Sequence, residues 1–156
     1  MHYWLMKSEP NAFSIDDLNN RPKKTAHWDG VRNYQARNML RNDLKQGDLA
    51  FFYHSSCNPP GIVGIIEVVK EGYPDFTSWN PEADHYDPAS LPDNPRWFMV
   101  DVKLIKKFPR LISLDEIKKH PKLKNMVILR KGNRLSVTPV TAEEWKTILM
   151  LGKNEG

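Results

Sequence analysis

The stretch D-L-A-F-F-Y-H at residues 48–54, followed by G-I-V-G-I-I-E-V-V-K at residues 61–70, reads as two consecutive strands. The first is rich in aromatics and the second in β-branched residues, both of which favour a pleated, packed backbone. Their near-continuous apolar runs predict burial on both faces, or closure of a barrel with helices packed outside it. Residues 55–60 join them as a turn with two prolines. Gly61 and Gly64 fall inside the second strand, where glycine signals close backbone approach rather than phosphate binding.

On the N-terminal side, residues 2–6 read as a short strand entering the core. Ser14 followed by Asp17 is a capping pattern, so a short helix starts there with Ile15 and Leu18 inward and ends at Arg21-Pro22. Asn33 caps a second helix with Ala36, Met39, Leu40 and Leu44 on one face. Gln46-Gly47-Asp48 is a turn. On the C-terminal side, residues 71–95 form the one long irregular segment, with prolines at 74, 81, 88, 92 and 95. A strand reads from Trp97 to about Phe108, with Phe98, Val100, Val102 and Leu104 on one face. Ser113 with Glu116 opens a short helix closed by His120-Pro121. Leu135-Ser136-Val137 is a short strand ending at Pro139. Thr141 with Glu144 caps a final helix, with Trp145, Ile148 and Leu149 inward and Gly152 past its end. The expected class is α+β: a single domain over residues 1–156 built as a small, partly closed β-barrel flanked by short helices. The lack of regular βαβ alternation argues against a doubly wound sheet.

Composition narrows the function classes. At 156 residues, with 40% hydrophobic and 27% charged residues, the chain has the profile of a soluble globular domain. A net charge of +4 and a pI near 9.1 favour an anionic partner. The single cysteine, Cys57, allows no internal disulfide and suits a reducing compartment. Neither a signal peptide nor an apolar run of membrane-spanning length is visible. The expectation is a cytoplasmic, monomeric protein, nuclear if its source is a eukaryote.

No G-x-x-x-x-G-K-[ST], G-x-G-x-x-G or G-x-S-x-G motif occurs, which argues against a triphosphatase, a dinucleotide site and a hydrolase elbow. His54-x-x-Cys57 is at most half a zinc site, and His85 among Glu82, Asp84 and Asp87 reads as a solvated loop. No metal, cofactor or catalytic residue is expected. The strongest signal is aromatics interleaved with basic residues. Trp28 precedes Arg32 and Arg37. Trp79 lies in the irregular segment with Tyr73 and Phe76, as an anchor or as a plug sealing one end of the barrel. Arg130-Lys131-Gly132-Asn133-Arg134 is a basic turn, either solvated or a phosphate clamp. Trp28 itself reads either as core or as a stacking surface.

With these residues in view, the chain resembles the EVE domain family of the PUA-like superfamily. The matching blocks are Y-W-L-M-K-S-E-P at 3–10, W-D-G-V-R-N-Y-Q-A-R-N at 28–38, G-D-L-A-F-F-Y-H-S at 47–55 and G-I-V-G-I-I-E-V-V at 61–69. Tyr73-Pro74-Asp75, the Trp97 strand and R-L-S-V-T-P-V at 134–140 extend the match over nearly the whole chain. The resemblance implies a small β-barrel flanked by helices, similar in layout to the YTH domain, and a reader of modified, for example methylated, bases in DNA or RNA. Carried over by position, Trp28 would be the cage tryptophan and Trp79 a second aromatic wall. Lys7, Ser8, Asp29, Gly30, Asn33, Tyr53, His54 and Ser55 would complete the base pocket. Arg32, Arg37, Arg130 and Arg134 would meet phosphates. Two alternatives stay open: an enzyme on nucleic acid with His54 as acid–base group, and a protein-interaction module using loop 74–95.

Overall fold

The two strands at 48–54 and 61–70 lie at the centre of one sheet in the computed structural model, which describes residues 2–130 and 135–153. Strand β3 (Leu49–His54) pairs antiparallel with β4 (Gly61–Pro74), and β4 with β5 (Phe98–Ser113). β5 carries β2 (Thr25–Trp28) on its outer side. β1 (Tyr3–Ser8) runs parallel to β3 and antiparallel to β6 (Val137–Val140). Among the described residues the order is β2-β5-β4-β3-β1-β6.

The mixed α+β class with short helices around one sheet is as expected, but among the described residues the sheet stays open rather than partly closing into a barrel. β2 and β6 stand at opposite edges, with four residues each and one pairing partner each. The β4–β5 pair carries four register shifts, irregularities of the kind that bend and twist paired strands.

Burial on both faces, the other expectation from the apolar runs, is what the sheet shows. One face carries Met6, Ala50, Phe52, Ile66, Val68, Val100 and Val102. Helix α1 (Ile15–Asn19) covers it with Ile15 and Leu18. Helix α2 (Tyr34–Asn38) and the wider π turn Met39–Asp43 that continues it add Ala36 and Leu40. The opposite face carries Leu5, Phe51, Tyr53, Ile62, Ile65, Phe108 and Ile112 under α3 (Leu114–Lys119) and α4 (Ala142–Lys153). There Phe51 stacks on Trp145 with ring centroids 4.0 Å apart. Alternation along β3 therefore feeds two cores rather than one core and solvent.

The local signals hold at the helix starts. Ser14 and Asp17 cap each other reciprocally, Asn33 accepts from the Ala36 amide, Ser113 accepts from that of Glu116, and Thr141 and Glu144 exchange hydrogen bonds. Boundaries differ elsewhere. β4 runs on to Pro74, so the irregular segment is shorter than expected. Residues 25–28, too short and polar to stand out as a strand, form β2 because β5 offers them an edge. β6 starts at Val137 and includes Pro139, tolerated because this edge strand leaves one side unpaired. Gly152 lies inside α4 rather than past its end, with the Phe108 ring against it. No helix among the described residues is long and apolar enough to cross a membrane.

Gly61 and Gly64 sit where a side chain cannot. A Cβ on Gly61 would strike the Ile112 carbonyl, and one on Gly64 would strike the Lys106 carbonyl and the Ile15 side chain. Neighbouring backbone cannot yield as a flexible side chain can. Gly64→Ala is expected to cost about 1–3 kcal/mol, read as a lower urea midpoint at unchanged slope.

Candidate nucleic-acid interface

The parallel pairing of β1 with β3 brings five of the expected pocket residues to one end of the sheet. Lys7 lies beside Tyr53 and Ser8 beside His54, and the Ser55 amide donates to the Ser8 carbonyl at 3.0 Å. Strand alternation then divides them. Tyr53 belongs to the α3–α4 core, and its strand neighbour Phe52 to the α1–α2 core. Lys7 follows Met6 out of that same α1–α2 face. Lys7 and Tyr53 thus occupy one side of the sheet, Ser8 and His54 the other. Burial lowers the Lys7 ammonium pKa. Burial, with a smaller push from Cys57, raises the Tyr53 phenol to about 12.

Trp28 ends β2 on the Ser8–His54 side. It is only 6% exposed and packs edge-on against Phe52 at 5.2 Å and Phe13 at 6.5 Å. Phe13 has no counterpart among the expected site residues, yet it is the half-buried ring next to Trp28. Ser8 fixes this corner by donating its hydroxyl to the Phe13 carbonyl at 2.6 Å.

His54 is committed to structure. Its Nε2 accepts the Ile15 amide at 3.1 Å, satisfying an N-terminal donor of α1. The lone pair an acid–base role requires is therefore in use. Burial lowers the His54 pKa, a shift reinforced by Lys107 and opposed by Asp16.

After Trp28 the chain turns through the exposed Asp29 and through Gly30, whose φ of +78° suits glycine. The Gly30 amide donates to Asp75 at 2.9 Å, and the His85 ring lies where a Cβ would stand. Asp75 has no exposed surface. It also accepts from the Thr77 amide at 2.9 Å and from Arg32 at 3.0 Å. Burial pushes its carboxyl pKa up, but hydrogen bonds from Thr77, Gly30 and Arg32 and the Arg32 charge together hold it below the usual carboxylate range.

Arg32, expected at a phosphate, is held inside the protein by this network. Besides Asp75 it donates twice to the His85 carbonyl, at 3.1 and 2.6 Å, and its guanidinium lies 5.4 Å over the Trp97 ring. Trp97 stacks on Tyr34 at 5.0 Å, and the Arg37 guanidinium lies 4.9 Å from Tyr34. Arg37 donates to the Arg96 carbonyl and to Asn38, with no carboxylate partner among the described residues. Asn33 is exposed and uses its Oδ1 on the Ala36 amide, which leaves its NH2 to face outward.

Trp79 closes the turn Phe76–Trp79 and is half-buried. Its indole N–H is buried without an acceptor, a state that native structures rarely tolerate. Asp87, weighed with His85 as a cation ligand, instead accepts from Trp97 Nε1 at 2.6 Å and pairs with Arg96. Arg130 is exposed after the turn Val127–Leu129. The Ser136 carbonyl accepts from the Lys7 amide at 2.8 Å. Arg134 lies outside the described residues. Two open depressions, of 510 and 350 Å³, are lined by other residues, among them Gly47 and Glu67 in the first and Trp4 and Asn42 in the second.

The profile of the EVE domain matches residues 2–151. The chain belongs to the EVE domain family. Thymocyte nuclear protein 1 of Rattus norvegicus is 49% identical over 171 residues, covering 99% of this chain and 75% of the rat protein. Two solved EVE-like structures superpose closely. Human THYN1 protein in complex with 5-methylcytosine-containing DNA aligns at a TM-score of 0.93 and 47% identity, over 100% of both chains. A hypothetical protein from Leishmania major aligns at 0.93 and 43%, over 98% of this chain and 95% of that one.

In this EVE domain the burial of His54 has a pH signature. The fold holds His54 below its ordinary value of 6.5, so the unfolded chain takes up the proton first. The stabilisation is complete above that value and is lost as pH falls through the folded-state pKa. Denaturation curves between pH 8 and about pH 5 are expected to show stability falling below 6.5. His54→Phe should flatten that fall and cost about 1 kcal/mol at pH 8.

Proposed function

We propose that this chain is a DNA-binding module that recognises a modified base, 5-methylcytosine, and performs no chemistry on it. The observation that carries this reading is its full-length likeness to human THYN1 protein in complex with 5-methylcytosine-containing DNA. The chemistry of the Trp28 corner supports it. The half-buried Phe13 and the small exposed edge of Trp28, backed by the buried Phe52, offer apolar surface against which a base methyl would pack, and one such group contributes roughly 1–3 kcal/mol of discrimination. Trp79 supplies a half-buried ring at the start of the neighbouring loop, and its buried, unpartnered N–H gains an acceptor only if a base seats against that ring. Asn33 and the exposed Asp29 supply polar groups for the base edge, with Ser8 and Ser55 at the adjoining strand ends, whereas Lys7 and Tyr53 lie on the other side of the sheet. Stacking is worth about 1–3 kcal/mol per base and flipping costs a few kcal/mol, so the two nearly offset and the methyl contact decides occupancy. Arg37 and Arg130 serve the phosphates, whereas Arg32 orders the loop behind the pocket. The use of the His54 lone pair by Ile15 favours binding over acid–base catalysis.

Fluorescence titration with matched methylated and unmethylated oligonucleotides tests the reading. Methylated DNA is expected to quench at about tenfold lower concentration. Trp79→Phe keeps the ring and removes the N–H. It should leave thermal stability unchanged or raised, and weaken the methylated complex about tenfold. Equal affinity for both oligonucleotides would end the proposal, and an unaffected Trp79→Phe protein would remove Trp79 from it.

A further inference from the structure

Between α1 and β2 the chain reverses through Pro22, Lys23, Lys24 and Thr25, closed by the Thr25 amide donating to the Pro22 carbonyl. Its two central residues are both left-handed: Lys23 at φ 55° and Lys24 at φ 53°. This is the backbone of a type I′ turn, whose central positions normally hold Asn-Gly, Asp-Gly or Gly-Gly. Glycine adopts that conformation without a Cβ clash, and asparagine offsets it with a local hydrogen bond. Lysine has neither means. Two consecutive lysines in this geometry are strained, and what they bring in exchange is charge at the tip of a turn.

The surroundings add to that charge. Arg21 precedes the turn, and Lys103 lies opposite Thr25 in the β2–β5 register. All four cations are exposed, and none has an ion-pair partner among the described residues. The nearest carboxylate along the sheet is Glu67, opposite Lys103 on β4. The arrangement also points at the base corner. The Arg21 guanidinium lies 5.4 Å over Phe13, and the Phe13 ring meets Trp28 edge-on. Lys24 is joined to Trp28 by the length of β2, about 13 Å at roughly 3.3 Å per residue.

We propose that the Arg21–Lys24 turn, with Lys103 beside it, is a docking element for the phosphodiester backbone flanking the recognised base. It rests on the DNA-reader assignment and adds a contact that reads no sequence and no methyl group. A backbone contact of this kind contributes affinity and salt dependence, and leaves discrimination to the pocket.

The test compares wild type with Lys23→Asn/Lys24→Gly, which relaxes the turn and removes both charges, and with Lys23→Arg/Lys24→Arg, which keeps them. Binding is measured with methylated and unmethylated oligonucleotides between about 50 and 200 mM salt. The Asn/Gly protein is expected to melt higher than wild type, so misfolding does not confuse the outcome. It should bind both oligonucleotides about tenfold or more weakly at ~0.1 M salt, by the same factor, with a log affinity–log salt slope shallower by about 2. The Arg/Arg protein should keep the wild-type slope. An Asn/Gly protein with wild-type affinity and slope overturns the docking element while wild type still reads methylated DNA. A selective loss of methyl preference overturns the backbone role. Failure of wild type to bind either oligonucleotide overturns the reader assignment itself, and the docking element with it.

Discussion

The carboxylate of Asp75 is the constraint on which the interface depends. A fully buried charge costs several kcal/mol unless its oxygens are satisfied, and here the donors come from three separate places: the Gly30 amide, the Arg32 guanidinium and the Thr77 amide. The same residue joins the loop to β5, because its own amide donates to the Trp97 carbonyl. One side chain therefore holds the Trp28 turn, the start of α2 and the proline-rich loop in a single arrangement. Gly30 makes this geometrically possible. Its positive φ directs the amide at Asp75, and its missing side chain leaves room for the His85 ring.

That constraint also sorts the arginines. Arg32 is neutralised from within by Asp75 and by the His85 carbonyl, and sits on Trp97 as the base of a stack that continues through Tyr34 to Arg37. The stack leaves Tyr34 half exposed while its partner Trp97 is buried. Cations without carboxylate partners lie further out, at Arg37 on α2 and in the turn before β2. The net charge of +4 is thus not an even film. Arg32 is paired with the buried Asp75 at the loop, whereas Arg37 and the cations of the turn before β2 have no carboxylate partner among the described residues.

Much of the architecture was legible without coordinates because its signals are local. Ser14 with Asp17, Asn33, Ser113 with Glu116 and Thr141 with Glu144 are caps closed within three residues, so residue type and spacing suffice to place four helix starts. The apolar runs around Phe51 and Ile65 announced strands, buried either on both faces or by closure of a barrel, and Gly61 and Gly64 announced backbone contact. The blocks at 3–10, 28–38 and 47–55 carried the EVE resemblance, which the family match over residues 2–151 bears out.

Tertiary structure alone decided the rest, because the partners are distant in sequence. Whether the sheet closes depends on two four-residue edges that no local pattern ranks. The separation of Lys7 and Tyr53 from Ser8 and His54 follows from strand alternation in a sheet with two covered faces, which a list of neighbouring residues conceals. His54 reads as a proton carrier until an amide 39 residues away takes its lone pair. Asp75 reads as a loop acid until donors 43 and 45 residues away bury it. The sequence by itself determined where helices and strands begin and which aromatic residues they carry, since a capping hydrogen bond or an apolar period is complete within one turn or strand. Which polar groups remain free to meet a ligand was decided only on folding, since a donor's availability depends on every acceptor the whole chain brings to it.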